Sequence, residues 1–417
     1  MSPTTVKEVR ESWKTPAVMG SLATVVLVFF GILGKTDTVS FELTGERELV
    51  QLPNIDISAS LLGTIAGVLL LLITGYAALK VSKNVRPSIW LSMLFGATAL
   101  VALLGWLAAG NTVPVAFILG SALVLAVPIM LGAMGGIMSE RVGVVNIAIE
   151  GQLLTGAFMA AVVSTLTGNQ MLGIVSAMIT AALFSAVLAV FAVRFLAQQI
   201  IVGVVLNVLA IGITNFLYQQ WVTEDESATN SPGTLPIISI PYLGDIPVIG
   251  PVLFQNRITV FLAIGIVIVL WFVLFKTKLG LRARAVGENP LAADTVGINV
   301  GRTRFWWVTL GGLLAGLGGA ALTIGSSGSF GREMSGGLGF IALAVVILGR
   351  WHPGYATAAA LLFGFSIILR IWGGQVSPGI PSNFITMVPY LVTLIAVVGF
   401  VGRSRPPAAD GIPYVKG

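Results

Sequence analysis

The chain has 417 residues, is 56% hydrophobic and only 10% charged, and has a mean hydropathy of +0.96. Soluble domains carry roughly 25% charged residues, so the composition excludes an ordinary soluble domain and predicts an all-α polytopic membrane protein. A net charge of +6 and a pI near 9.7 do not indicate nucleic-acid binding, because the cations sit at the ends of apolar runs and no basic run is interleaved with aromatics.

Residues 1–16 are polar and contain Lys7, Arg10 and Lys14. The run Ala17–Gly34 is span-length and lacks a small-x-small cleavage site followed by soluble sequence, so it is expected to be a retained first span. Runs able to cross the roughly 30 Å hydrocarbon core fall at 17–34, 58–79, 88–109, 114–138, 144–167, 171–193, 197–220, 257–275, 304–324, 338–349, 354–372 and 384–402. The run 338–349 is short for a crossing, and 144–167 carries polar residues and glycines. Either is expected as a broken or re-entrant helix, which gives ten to twelve transmembrane helices, one or two of them interrupted.

Charge sets the orientation. Lys7, Arg10 and Lys14 precede the first run; Lys80, Lys83 and Arg86 follow the second; Arg194 follows the sixth. A cluster at 276–284, then Arg350, then Arg403 with Arg405 follow the eighth, tenth and twelfth. If every run crosses, all of these lie on one side, which the positive-inside rule makes the cytoplasm, with both termini there. The opposite side is acidic or neutral, with Asp37, Glu42, Glu46, Glu48 and Asp56 in 35–57 and Glu224, Asp225, Glu226 and Asp245 in 221–256. The proline-rich loop 221–256 is either a docking surface for an external partner or a solvated cap.

Ionisable and amide groups inside apolar runs are costly and default to functional candidates. Asn146 and Glu150 are four apart, which places them on one helix face, with Gln152 and Thr155 close by. Glu150 could meet a polyhydroxylated or amide-bearing ligand, or it could pin a broken helix by accepting backbone amides. Asn207 and Asn215 are eight apart, again one face, and read equally as interhelical glue or ligand contacts. Glu140 and Arg141 are expected to pair at a span end, and His352 to sit in a turn. Gly312 with Gly316 and Ala315 with Gly319 are small-xxx-small pairs suited to close helix packing. No proton-relay ladder of acids and no catalytic group set is seen, so no catalytic residue, metal site or cofactor is expected.

The stretch 276–298 is different in kind. Lys276, Lys278, Arg282 and Arg284 precede a short helix signal: Asn289 is a good N-cap, Pro290 suits the first helical position, Ala292 and Ala293 are strong helix formers, and Gly297 is a natural stop. A helix over 290–296 is too short to be stable alone and needs something to dock on. The chain has no cysteine, one histidine and no Gly-x4-Gly-Lys-Ser/Thr loop, so a disulfide, a thiolate or His-rich metal site and an internal ATPase are all excluded. If ATP drives the protein, another chain hydrolyses it.

Three blocks carry a resemblance. Gly287-Glu-Asn-Pro-Leu-Ala-Ala-Asp-Thr-Val-Gly-Ile298, followed by Leu-Ala-Gly-Leu-Gly-Gly-Ala320, resembles the coupling segment of ABC importer permeases of the branched-chain amino acid, simple sugar and nucleoside superfamily. Val142-Gly-Val-Val-Asn-Ile-Ala-Ile-Glu-Gly-Gln-Leu-Leu-Thr-Gly-Ala157 is similar to a signature of its nucleoside branch, which works with a BMP-type lipoprotein, and Gly339-Phe-Ile-Ala-Leu-Ala-Val-Val-Ile-Leu-Gly349 to a third block. Sugar permeases tend to show Ile-Asp-Leu-Ser-Val-Gly, and amino-acid permeases Asn-Phe-Ala-His-Gly, where this chain has Glu150-Gly151.

The resemblance implies a nucleoside or purine importer of a bacterial cytoplasmic membrane, working by alternating access, with simple sugars or branched-chain amino acids as rival substrates. The implied partners are a cytoplasmic ABC ATPase, a second, non-identical permease subunit and an extracytoplasmic substrate-binding lipoprotein. Glu288, Asn289, Pro290, Leu291, Ala292, Ala293, Asp294 and Gly297 would form the coupling element, and Asn146, Glu150 and Gln152 would lie near the path. The expected organisation is an N-terminal tail and extra spans over 1–113, a permease core over 114–402 and a cytoplasmic tail over 403–417. A stand-alone secondary transporter is the alternative from another class.

Overall fold

The structure, a computed structural model, describes residues 12–45, 48, 50–85, 87–223, 225–376 and 405–416. The expected run 384–402 lies outside these residues, as do Lys7, Arg10, Arg86, Arg403, Glu46 and Glu224. The apolar runs fold as helices because backbone in hydrocarbon has to satisfy its own N–H and C=O groups. Two compact units result, Met1–Ile118 with Asp245–Val248 and Leu369–Gly402, and Leu119–Gly244 with Ile249–Ile368 and Arg403–Gly417.

In the first unit, α1 (Lys14–Val25) continues as a π turn over Val26–Ile32. Strands β1 (Thr38–Glu42) and β2 (Ile55–Ser58) follow, then α2 (Ala59–Ser82), α3 (Ile89–Leu107) and β3 (Thr112–Pro114). The strands form a sheet in the order β2-β1-β3, antiparallel then parallel, so part of the acidic stretch after the first span is extended strand. Met19, Ala23, Leu70, Ile73, Ala77 and Phe95 form the core between the helices.

The second unit holds α4 (Val115–Glu140) from Leu119 onward, α5 (Ile149–Thr167), α6 (Gln170–Val193) and α7 (Gln199–Leu217), the last extended by a π turn to Val222. The long loop beyond it carries α8 (Glu226–Thr229) and the antiparallel pair β4 (Ile237–Ser239) and β5 (Gln255–Arg257). It is tied down as well as solvated: Asn230 and Phe330 exchange hydrogen bonds, and Arg257 donates to the Leu235 and Gly325 carbonyls.

Next come α9 (Ile258–Lys276), α10 (Lys278–Glu288), α11 (Pro290–Thr295), α12 (Val300–Leu322, with a π turn to Ser327), α13 (Leu338–Leu348) and α14 (Pro353–Val376). Among the described residues nine helices are long and apolar enough to cross a membrane, and Leu94–Leu107 and Leu338–Leu348 are shorter apolar helices. The protein is an all-α polytopic membrane protein in which the strands are minor.

Small residues let α12 pack against α5 and α6 backbone to backbone. A Cβ added at Gly316 would overlap the Ala177 carbonyl, and one at Gly312 would lie 2.7 Å from the Ala181 carbonyl. Ser185 Oγ closes the same contact by donating to the Val308 carbonyl at 2.6 Å. The small-xxx-small spacing therefore does the packing expected of it.

The two interrupted runs behave differently from a plain crossing. The run from 144 is not helical until Ile149. Helix α13 has 11 residues, about 17 Å at 1.5 Å per residue, roughly half of the hydrocarbon thickness. It runs alongside the second half of α4: a Cβ at Gly132 would meet Ala342 and one at Gly136 would meet Val346. Its far end is held by Trp351. Arg141 donates from Nε and Nη2 to the Trp351 carbonyl at 3.0 and 2.7 Å, and the Trp351 indole donates to Glu140. Glu140 and Arg141 thus share a partner and do not form the expected pair, because the turn after α13 offers both a donor and an acceptor at the end of α4.

Candidate functional site: a polar layer and a coupling element

A half-helix that begins inside the protein exposes unpaired N–H groups and the positive end of its dipole. Glu150, in the first turn of α5, meets this need for α13. Its Oε1 accepts from Ser335 Oγ at 2.7 Å and from the Gly337 amide at 2.8 Å, and its Oε2 accepts from the Gly339 amide at 2.6 Å. The chain must turn sharply to present those groups, and Gly336 and Gly337 do so at φ of +52° and +88°. Gly339 admits no side chain, since a Cβ there would overlap the Glu150 backbone. Both carboxylate oxygens are therefore engaged in fixing the start of α13.

Asn146 does not share a helix face with Glu150. It lies in the non-helical stretch before α5 and folds back onto Gln152, with side-chain bonds of 3.2 and 3.3 Å and a third, at 3.5 Å, from Asn146 to Ser139 Oγ. Asn146 precedes the helix by three residues, so its four-residue spacing from Glu150 does not put the two on one helix face. Both amides are fully buried, and their mutual pairing removes the cost of that burial. Asn207 staples α7 to the same region: its Oδ1 accepts from the Gly151 amide at 2.8 Å and its Nδ2 donates to the Ile147 carbonyl at 2.9 Å. Of the two readings open for Asn207, the geometry is that of interhelical glue. These residues make one polar layer around the start of α5.

Asn215 lies elsewhere, about 12 Å further along α7 at 1.5 Å per residue. Its Nδ2 donates to Glu333 at 3.3 Å, and its Oδ1 has no hydrogen-bond partner among the described residues. Beside it the Arg332 guanidinium lies 5.0 Å from the centre of the Tyr218 ring, and Tyr218, Phe330, Phe158 and Trp221 form a chain of ring contacts. Arg332, Glu333 and Trp221 are exposed. Sequence reading missed Arg332 and Glu333 because they fall in a short polar connection between runs.

The stretch 276–298, the candidate coupling element, is more ordered than a basic loop followed by a helix. Its cations lie on and around α10, whose N-cap Thr277 accepts from the Gly280 amide at 3.2 Å. Asn289 then caps α11 by accepting from the Ala292 amide at 3.0 Å, with Pro290 in the first position. Gly297, at φ +82°, ends the turn, and Asn299 caps α12. Ala293 is buried, whereas Leu291 and Val296 are 63% and 74% exposed. The outward apolar surface is therefore Leu291 and Val296, and Ala293 faces the protein with Val142, Val286 and Val300. Glu288, Asn289 and Ala292 are also exposed, and Asp294 is half-buried.

Arg304, fully buried near the start of α12, was not among the expected site residues, although a cation inside an apolar run is itself a signal. It donates from Nη1 to the Ile412 carbonyl at 2.8 Å.

Residues 118–398 match the family described as branched-chain amino acid transport system / permease component. The guanosine ABC transporter permease protein NupQ of Bacillus subtilis is 41% identical over 309 residues, which cover 72% of this chain and 97% of that protein. The nucleoside ABC transporter permease protein NupC of Lactococcus lactis is 40% identical over 309 residues, 72% of this chain and 96% of that protein. A second guanosine ABC transporter permease protein of B. subtilis, NupP, is 26% identical over 357 residues, 83% of this chain and 93% of that protein. No solved structure matches this chain. With a membrane core built on α5, α6 and α12 and a match over two thirds of its length, the chain belongs to the family of branched-chain amino acid transport system permease components, the permeases of ABC importers.

Proposed function

We propose that the chain is the membrane subunit of an importer that takes up nucleosides or related purine compounds, driven by a separate ATPase. The observation that carries this reading is the resemblance in level and extent to two relatives named for guanosine and nucleoside transport, together with a capped short helix that presents Leu291 and Val296 outward. In this reading the face bearing α10 and α11 is cytoplasmic, as are both ends of the chain, and the membrane is a bacterial plasma membrane. Residues 114–402 are the permease core and 1–113 add further spans. NupQ and NupP, two different guanosine permease proteins of one organism, favour a pair of non-identical permeases. A substrate-binding lipoprotein would deliver the ligand on the opposite face.

Transport then works by alternating access. Closure of the ATPases moves α11, and the cavity changes its affinity between two states, since a ligand bound equally in both would not be moved. Four of the five amide and carboxylate candidates, Asn146, Glu150, Gln152 and Asn207, hold the polar layer together. Asn215, with Glu333, Arg332 and the rings of Tyr218 and Trp221, is the part of the path offered to substrate. Purine bases stack on aromatic faces and donate hydrogen bonds to carboxylates, and this set supplies both.

The test is reconstitution of the chain with its ATPase, second permease and lipoprotein in proteoliposomes. ATP-dependent uptake of labelled guanosine or adenosine is expected, with no uptake of glucose or leucine. Gradient-driven guanosine flux through the chain alone would overturn the reading in favour of a secondary transporter.

A further inference from the structure

The stretch 405–416 is short, carries three prolines and has no apolar run, yet it is bound to the coupling element at both ends. The Ala409 amide donates to the Gly287 carbonyl at 2.8 Å and the Ala408 amide to Glu288 Oε2 at 3.3 Å, so the stretch is tied to the joint between α10 and α11. Ile412 accepts from buried Arg304 of α12. Tyr414 packs against the cluster that contains Val142, Val144, Val286 and Ala293.

The third contact is with the stretch 141–148, which leads into the polar layer. Gly143, at φ +83°, has room for no side chain: a Cβ there would lie 2.8 Å from both the Ala409 carbonyl and Arg304 Nη2. A Cβ on Gly411 would lie 3.4 Å from Val145. The stretch is thus seated on three elements at once, namely the end of α10, the start of α12 and the connection from α4 to α5. Asn146, one residue beyond Val145, bonds to Gln152, and Ile147 is held by Asn207.

We propose that residues 405–416 are a clasp that makes α10–α11 and the 141–148 connection move as one body, so that force on α11 reaches the polar layer. Ala409, Arg304 and Gly143 are its positioning residues. The clasp rests on the import reading and adds to it a third component between the ATPase contact and the substrate path. Coupling between two sites needs an element with two arrangements that both sites bias. A seated or released clasp is such an element. Among the described residues, buried polar atoms without a hydrogen-bond partner lie on both sides of this contact, Arg304 Nε and Nη2 in the seat and Asp410 Oδ1 in the clasp.

The test uses the reconstituted complex with the full chain, with residues 405–417 deleted, and with Ala409→Asp. Uptake and ATP hydrolysis are measured together, with recovery of the ATPase on the purified permease as the control for assembly. Deletion is expected to lower nucleoside moved per ATP by about fivefold or more, the low end of typical coupling between sites, with ATPase recovery unchanged. A synthetic peptide of residues 403–417 is expected to bind the deleted chain, measured by fluorescence anisotropy, and to restore the ratio. It is expected to bind poorly when Arg304→Gln is added. An unchanged ratio on deletion would overturn the clasp, as would equal loss of assembly and uptake without rescue by the peptide. Failure of the full chain to import nucleoside would instead overturn the import reading, whereas peptide binding tests the seat without any transport.

Discussion

Replacing Glu150 by alanine removes the acceptor for three donors at once: Ser335 Oγ and the Gly337 and Gly339 amides. A buried donor left unsatisfied costs about 1–3 kcal/mol. Ser335 and Gly339 are buried and Gly337 is half-buried, so the three donors sum to about 3–9 kcal/mol, nearer the low end because Gly337 keeps some access to solvent, assigned to the seat of α13. Loss of the negative charge at the start of a helix adds up to about 1–2 kcal/mol. Glu150→Gln keeps one acceptor and should lose roughly half as much. The assay is thermal unfolding of the purified complex in detergent beside uptake in proteoliposomes. The alanine variant is expected to melt several degrees lower, with the glutamine variant between it and the parent and uptake falling in the same order. An alanine variant that melts like the parent but transports nothing would refute the reasoning and return Glu150 to the substrate path.

At the coupling element, Leu291→Glu and Val296→Glu are expected to reduce ATP-driven uptake without changing unfolding, since both side chains are exposed, whereas Ala293→Leu should destabilise by about 1–3 kcal/mol through overpacking; uptake and melting measured together separate the two. Gly316→Leu should abolish folded protein, because the Ala177 carbonyl occupies the place of its Cβ, and size-exclusion chromatography in detergent reads this directly. Burial pushes the Asp410 carboxyl up to about 7, against the opposing pull of the Gly411 amide and the Arg304 guanidinium, with Glu140 as the facing carboxylate. An acid raised on seating binds its proton more tightly when seated, so the 403–417 peptide should lose affinity as pH rises from about 4 to about 7 and change little above. The same peptide with Asp410→Asn should show no such slope, and a slope that persists would exclude Asp410 as its source. Asn215→Ala and Glu333→Gln are expected to raise the KM for guanosine uptake with assembly unchanged, as equilibrium binding and ATPase recovery would show.

Parts of this architecture are local and so were legible in the sequence. Helix α11 has its cap at Asn289, its proline at 290 and its stop at Gly297, all within nine residues, and it forms over Pro290–Thr295 where 290–296 was expected. The small-residue spacing around Gly312 and Gly316 also survived, because the 3.6-residue period fixes one face of a helix wherever it packs. What failed was local logic applied where the helix had not begun. Asn146 and Glu150 have helical spacing, but the helix starts at Ile149, so Asn146 turns to Gln152 and Glu150 turns to α13.

The sequence by itself determined that the chain crosses a membrane many times, that one or two runs are interrupted and that a short capped helix stands outside the core. Hydropathy, period and capping are properties of neighbouring residues, so one dimension suffices to read them. Only the tertiary structure decided that Glu150 caps a half-helix 185 or more residues away, that Glu140 and Arg141 hold Trp351 in common, and that 405–416 closes over the end of α10. In each case a buried polar group takes whichever partner the packing brings within about 3 Å, and no local pattern records which partner that will be.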